Sequence, residues 1–215
     1  MADAGSAPRE WRAAGAGLDA AFERSAFLSD TFYRNADALL QQVEKSGAMG
    51  VNRGFEVGAR KGGEWFIEEQ RFADTVIGAG VNRNRMDLID AGLRALEWGY
   101  AQQSGDGSFP CRDNFLGGSY FVAATAHSLW LLETTGYARS YTARINALRP
   151  KLERAAHWLA DNSHPAAVLA QQDAYSSRHF LTGYALAASG RYLGDSTLAS
   201  TSTIRLIMAR RLWSA

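Results

Sequence analysis

Gln102-Gln103-Ser104-Gly105-Asp106-Gly107-Ser108-Phe109-Pro110 separates two helical patterns of opposite character. Before it, residues 86–103 carry Asp87, Asp90, Arg94 and Glu97 on one stripe and Ile89, Leu93, Leu96 and Tyr100 on another, the mark of a half-solvated helix. After it, residues 119–135 are apolar on nearly every face, the mark of a buried helix. The Gly-rich stretch between them reads as a loop, with Asp106-Gly107 a turn that needs positive φ at the glycine. Amphipathic helix, loop and buried helix together make one unit of a two-layered helical assembly.

Working outward, the periodicity predicts a short helix near 10–24 and seven more near 30–45, 65–80, 85–103, 119–135, 141–161, 176–193 and 196–213. A bend or break is expected before Pro150, which lacks the N–H that a helix interior uses. The helices at 119–135 and 176–193 read as buried almost all round, and their neighbours carry polar stripes, so an outer layer wrapped on an inner one is expected. Arg94-Ala95-Leu96-Glu97-Trp98 recurs as Arg154-Ala155-Ala156-His157-Trp158, which suggests stacked helical hairpins. The long connections (46–64, 104–118 and 162–175) all run from a polar helix to an apolar one, and the short connections run back. In antiparallel hairpins the long loops then gather at one end, where a binding site is expected.

The bulk numbers bound the class. The chain has 215 residues, 47% of them hydrophobic, with six Trp and eight Tyr, enough for a sizeable core. Net charge is +1 and no basic run exceeds two residues, so no partner is expected among nucleic acids or anionic membranes. A single Cys, Cys111, excludes an internal disulfide and a Cys-based zinc cage and fits a reducing compartment. No apolar run is read as a membrane span and no signal peptide is read at the N-terminus. Localisation is expected to be cytoplasmic, or periplasmic or secreted if a signal was removed. Neither a metal-binding His spacing nor a nucleotide-binding Gly motif occurs, so no metal and no cofactor are expected.

Gln103-Ser104-Gly105-Asp106-Gly107-Ser108-Phe109 resembles the Q-x-x-D-G-S-W type repeat of the terpenoid cyclase and prenyltransferase toroids, in which the motif ties a helix end to the next loop. The wider pattern, centred on 64–135, resembles the (α/α) toroids of bacterial polysaccharide lyases and related glycosidases. The resemblance implies an all-α fold, an (α/α) toroid of helical hairpins. A full ring needs more helices, and the chain ends inside a helical pattern at Arg210-Arg211-Leu212-Trp213, so the ring is expected to be incomplete or open. The whole chain reads as one such domain, with residues 1–28 a peripheral N-terminal segment.

The third long loop leads into an inner helix through Tyr175-Ser176-Ser177-Arg178-His179. These residues resemble the Tyr, Arg and His of the toroid lyases. β-Elimination on a uronic acid needs a group to neutralise the carboxylate, a base for the C5 proton and an acid for the leaving oxygen. By the resemblance Arg178 or Asn114 serves the first need, and His179 with Tyr175 the others. Tyr175 and His179, four apart, share a face if the helix begins by Tyr175. An N-terminal cap with ordinary packing residues is the alternative for this stretch.

Asp113, beside Asn114, is a candidate substrate contact. On a hydrolase reading, Asp106 or Asp113 pairs with Glu68 or Glu69 across the mouth. Trp65 and Phe109, with Phe55, Phe115 and Tyr120, are candidate sugar-stacking platforms or plugs for the helix ends. His127, within the apolar helix, is either a core histidine or a substrate contact, and His164 in the third loop is similarly open. The function expected is therefore a carbohydrate-active enzyme, a polysaccharide lyase-like eliminase on a uronate-containing glycan. Alternatives are a glycoside hydrolase, a terpenoid-cyclase-like enzyme whose Asp-rich signatures are missing here, and a non-catalytic helical-repeat binding protein. The partner expected is an oligo- or polysaccharide.

Overall fold

The structure is a computed structural model that describes residues 35–55, 64–161 and 175–213, the last three without their side chains. The chain divides into two compact units, Met1–Ala36 and Asp37–Ala215. The first lies almost wholly outside the described residues, as do the helix expected near 10–24, the 1–28 segment, His164 and most of the third loop.

Among the described residues seven α-helices follow one another: α1 (Ala36–Gln41), α2 (Ala73–Arg83), α3 (Met86–Ala101), α4 (Asn114–Thr134), α5 (Ala138–Ala160), α6 (Ser176–Leu193) and α7 (Ser196–Trp213). Two 3₁₀ segments, Gly50–Asn52 and Ile67–Phe72, precede α2. No strand occurs among the described residues, and a single antiparallel bridge joins Val43 to Met49. The fold is all-helical, as the periodicity predicts.

Several boundaries differ from the sequence reading, each for a local reason. The expected helix at 30–45 stops at Gln41, because the chain turns through Gly47 at φ 99°. The expected start at 65 is a 3₁₀ segment that becomes α-helical at Ala73. α4 begins five residues before the predicted Ser119, taking in Gly117 and Gly118. There a Cβ on Gly117 would meet Ile67 at 3.0 Å, so this glycine keeps the first turn of α4 close to its neighbour. α5 does not break before Pro150, which is exposed inside the helix; its one non-helical residue is Tyr141 (φ −122°, ψ 15°).

α4 sits at the centre of the packing. It contacts α2, α5, α6 and the Ile67–Phe72 segment, and α6 in turn contacts α5 and α7. Phe121, Val122, Leu129 and Leu132 of α4 are fully buried. By length and hydropathy α4 is long and apolar enough to cross a bilayer, contrary to the sequence reading. Two-thirds of that stretch is buried against the other helices, as befits a core helix. α3 and α5 carry the expected polar stripes: Arg144 bridges Asp90 (2.9 Å) and Glu97 (2.5 Å), while Arg154 and Asp161 are exposed.

The 60-residue repeat runs deeper than its sequence. In the second copy Ser104 N–H donates to the Ser108 carbonyl (2.8 Å) and Gly107 N–H to the Ser104 carbonyl (3.0 Å). In the first, Glu44 N–H donates to the Ala48 carbonyl (3.0 Å) and Gly47 N–H to the Glu44 carbonyl (3.0 Å). Asp106 Oδ1 accepts from Ser108 N–H (2.9 Å) just as Ser46 Oγ accepts from Ala48 N–H (3.2 Å). Gly47 (φ 99°) lies against the Arg94 carbonyl and Trp98, and Gly107 (φ 97°) against the Arg154 carbonyl and Trp158. Each turn therefore docks on the next polar helix through a glycine that has neither the dihedral nor the room for a side chain. Buried Gln70 reinforces the first copy, donating to the Gly47 and Ala95 carbonyls (3.0 and 2.9 Å) and accepting from Met49 N–H (2.9 Å).

Candidate functional site: the exposed face of α4 and α6

The described parts of the long loops meet at one end. Arg112 of the second loop pairs with Glu64 of the first at 3.2 Å, and Asp113 lies 3.5 Å from Arg178 at the start of α6. Asp113 holds φ 47°, a left-handed conformation that an aspartate adopts at some cost, and Asn114 opens α4 directly after it. Arg178 also lies over the Tyr175 ring, 5.5 Å from its centroid. Asp113, Asn114, Tyr175 and Arg178 thus share one neighbourhood.

His179 does not join them on the surface. Tyr175 has extended dihedrals (φ −120°, ψ 111°) as the residue before α6 and is 56% exposed, whereas His179 is 3% exposed. The helix begins one residue too late for the two side chains to share a face. The aromatics divide in the same way. Trp65 packs edge-on against Trp98, Phe109 against Tyr100 and Phe121, and Phe115 against Trp158. All three, Trp65, Phe109 and Phe115, are buried and plug helix ends, so they offer no stacking face to a ligand. Glu68 and Glu69 are half-buried, and the Asp106 carboxylate serves its own turn. Cys111 is half-buried, and its thiol pKa is pushed up to about 11, first by burial.

An open face runs along α4 and α6, which lie side by side. Their seam is closed by a hydrogen bond of 3.0 Å between the buried Ser119 and Thr182 hydroxyls. Above it, Tyr120, His127 and Trp130 line α4, and Tyr184 and Arg191 line α6. Small residues (Ala126, Ala187 and Ala188) floor the trough between them. Towards the start of α6, Leu116, Tyr120, Tyr175, Ser177, Arg178 and Leu181 enclose a groove of about 420 Å³. Arg71 stands at its side, 4.4 Å from the Phe72 centroid and 5.0 Å from that of Tyr120.

Farther along, a second groove of about 270 Å³ holds His127, Trp130, Tyr184, Arg191 and Tyr192. His127 Nδ1 lies 2.8 and 3.0 Å from the two Asp74 oxygens, and Ser128 donates to Asp74 Oδ1 at 3.0 Å. The Asp74 hydrogen bond raises the His127 pKa above its ordinary value against the opposing effect of burial. The His127 ring stacks on Trp130 (6.1 Å, 26°), and the Arg191 guanidinium lies 5.9 Å from the same indole centroid. Asp74, Trp130, Tyr184, Arg191 and Arg71 are not among the site residues expected from the sequence. Their signal lies in spacing: large amphiphilic residues stand at 120, 127 and 130, and at 184 and 191, in helices rich in Ala, Gly, Ser, Thr and Leu.

Among the described residues no group of three His, Cys, Asp or Glu side chains is placed to hold a metal ion. No protein-family model matches the chain, and no curated protein or solved structure is significantly similar to it.

Proposed function

We propose that the chain is an open arc of an (α/α) toroid that binds an acidic, uronate-containing oligo- or polysaccharide along the α4–α6 trough and cleaves it by lyase-type β-elimination. The observation that carries this reading is the repeated pairing of arginine with exposed aromatic ring on one face: Arg71 with Tyr120, Arg178 with Tyr175, and Arg191 with Trp130. An aromatic face suits the C–H face of a pyranose, and a guanidinium beside it suits the carboxylate. A neutral glycan has no use for three such cations. A hydrolase reading has less support, because Asp106 is committed to its turn.

The test is a screen of uronate polymers for the ultraviolet absorbance of an unsaturated product, with affinity measured alongside. Turnover and micromolar-to-millimolar binding are expected for at least one acidic polymer. Arg178→Ala should weaken binding by roughly tenfold or more, since a charge-assisted hydrogen bond contributes about 1.5–3 kcal/mol. Equal binding of acidic and neutral polymers would reject the reading.

A further inference from the structure

Resting on that reading, we infer that the elimination centre is the His127 groove, with His127 the base, Asp74 its positioning residue, Tyr184 the acid and Arg191 the carboxylate clamp, rather than the Tyr175–His179 segment at the mouth. At the mouth the one imidazole, His179, is buried and so is withheld from a substrate. The His127 groove brings together on one wall every group the reaction needs. Asp74 occupies the Nδ1 side of the imidazole, which fixes the ring and leaves Nε2 as the nitrogen that can take a proton. Tyr184 is 53% exposed and lines the same groove, as do Arg191 and the Trp130 platform.

In the step, His127 Nε2 removes the C5 proton and the C–H electrons form the C4=C5 double bond. The C4–O bond breaks, and the leaving oxygen takes the Tyr184 hydroxyl proton. Arg191 balances the charge that develops on the C5 carboxylate as C5 loses its proton. One proton is gained by His127 and one lost by Tyr184, so exchange with solvent restores both and no water is consumed. The Tyr175–Arg178 groove then serves as a flanking sugar subsite.

The inference makes a pH-dependent claim. The groups facing His127 are Asp74 from α2 and Tyr184, Arg191 and Tyr192 from α6. Asp74 raises the His127 pKa, and the base is active only when neutral, so the rate should rise with pH through that raised value. Asp74→Asn should move this acidic limb to lower pH and reduce the plateau rate, a pattern that a merely structural role would not produce.

The experiment measures elimination rate and oligouronate affinity for the full chain and for His127→Asn, Tyr184→Phe, Asp74→Asn and Tyr175→Phe, with helicity checked by circular dichroism. The expected result is a loss of roughly 10²–10⁴-fold in turnover for His127→Asn and Tyr184→Phe with affinity retained. Tyr175→Phe, which keeps the ring of the flanking subsite, should act mainly on affinity and lower turnover far less than His127→Asn does. The His127 imidazole titration, followed by NMR, should shift downward in Asp74→Asn, which tests the pairing without reference to activity. Turnover that survives His127→Asn, or collapses only in Tyr175→Phe, overturns this inference and leaves the proposed function standing. A wild-type chain that neither binds nor cleaves any uronate polymer overturns both.

Discussion

At the scale of single residues, two glycines hold the repeat together by what they lack. Gly107 combines φ 97° with a backbone carbonyl, that of Arg154, where a Cβ would stand. Gly136 has a similar φ of 83° with nothing within 4 Å. The two positions separate strain from crowding. Gly136→Ala should cost about 1–2 kcal/mol, the left-handed penalty alone. Gly107→Ala should cost roughly 2–4 kcal/mol, because the turn must also back away from α5. Equilibrium unfolding in urea gives both values, and equal losses would refute the docking argument. The sequence marks Gly107 as a turn glycine through Asp106-Gly107-Ser108. It does not mark Gly47, whose copy reads Ser46-Gly47-Ala48, because only the hydrogen-bond pattern is kept there.

At the scale of elements, the helix periodicity was legible wherever a helix is free of special contacts. α6 and α7 fall on the predicted bounds, since a continuous pattern is closed at Gly194 by left-handed dihedrals (φ 74°). α4 was misplaced at its start because Gly117-Gly118 reads as loop in isolation, whereas close packing against Ile67 makes it the helix's first turn. α5 passes through Pro150 without the expected break. The proline removes one backbone hydrogen bond on a solvent-facing stretch while the buried Ile145, Leu148 and Leu152 anchor the helix on either side of it. Pro150→Ala should therefore stabilise the chain by about 1–2 kcal/mol, the restored bond outweighing the looser unfolded chain. A rise in thermal midpoint checks this; a fall would mean that the ring is itself part of the packing.

At the scale of the whole molecule, stability should be graded outward from α4. Its interior turns are buried on most sides by α2, α5 and α6, so amides of 121–129 should exchange hydrogen last. α7, which shows Ile204, Ile207 and Met208 to solvent, should exchange well before it. Exchange followed by mass spectrometry tests the order. Among the described residues, the sequence by itself determined the helices α3 to α7, the turn at 104–109 and the central apolar helix, because these follow from local periodicity and turn chemistry. It also marked Arg178, Tyr175, Asp113 and His127 as residues worth following. Only the tertiary structure decided which of them meet. Whether a side chain reaches solvent depends on which face its helix turns to its neighbours, and that buried His179, Trp65 and Phe109. The pairing of Asp74 with His127 spans 53 residues and two helices, so only the packing of α2 on α4 creates it.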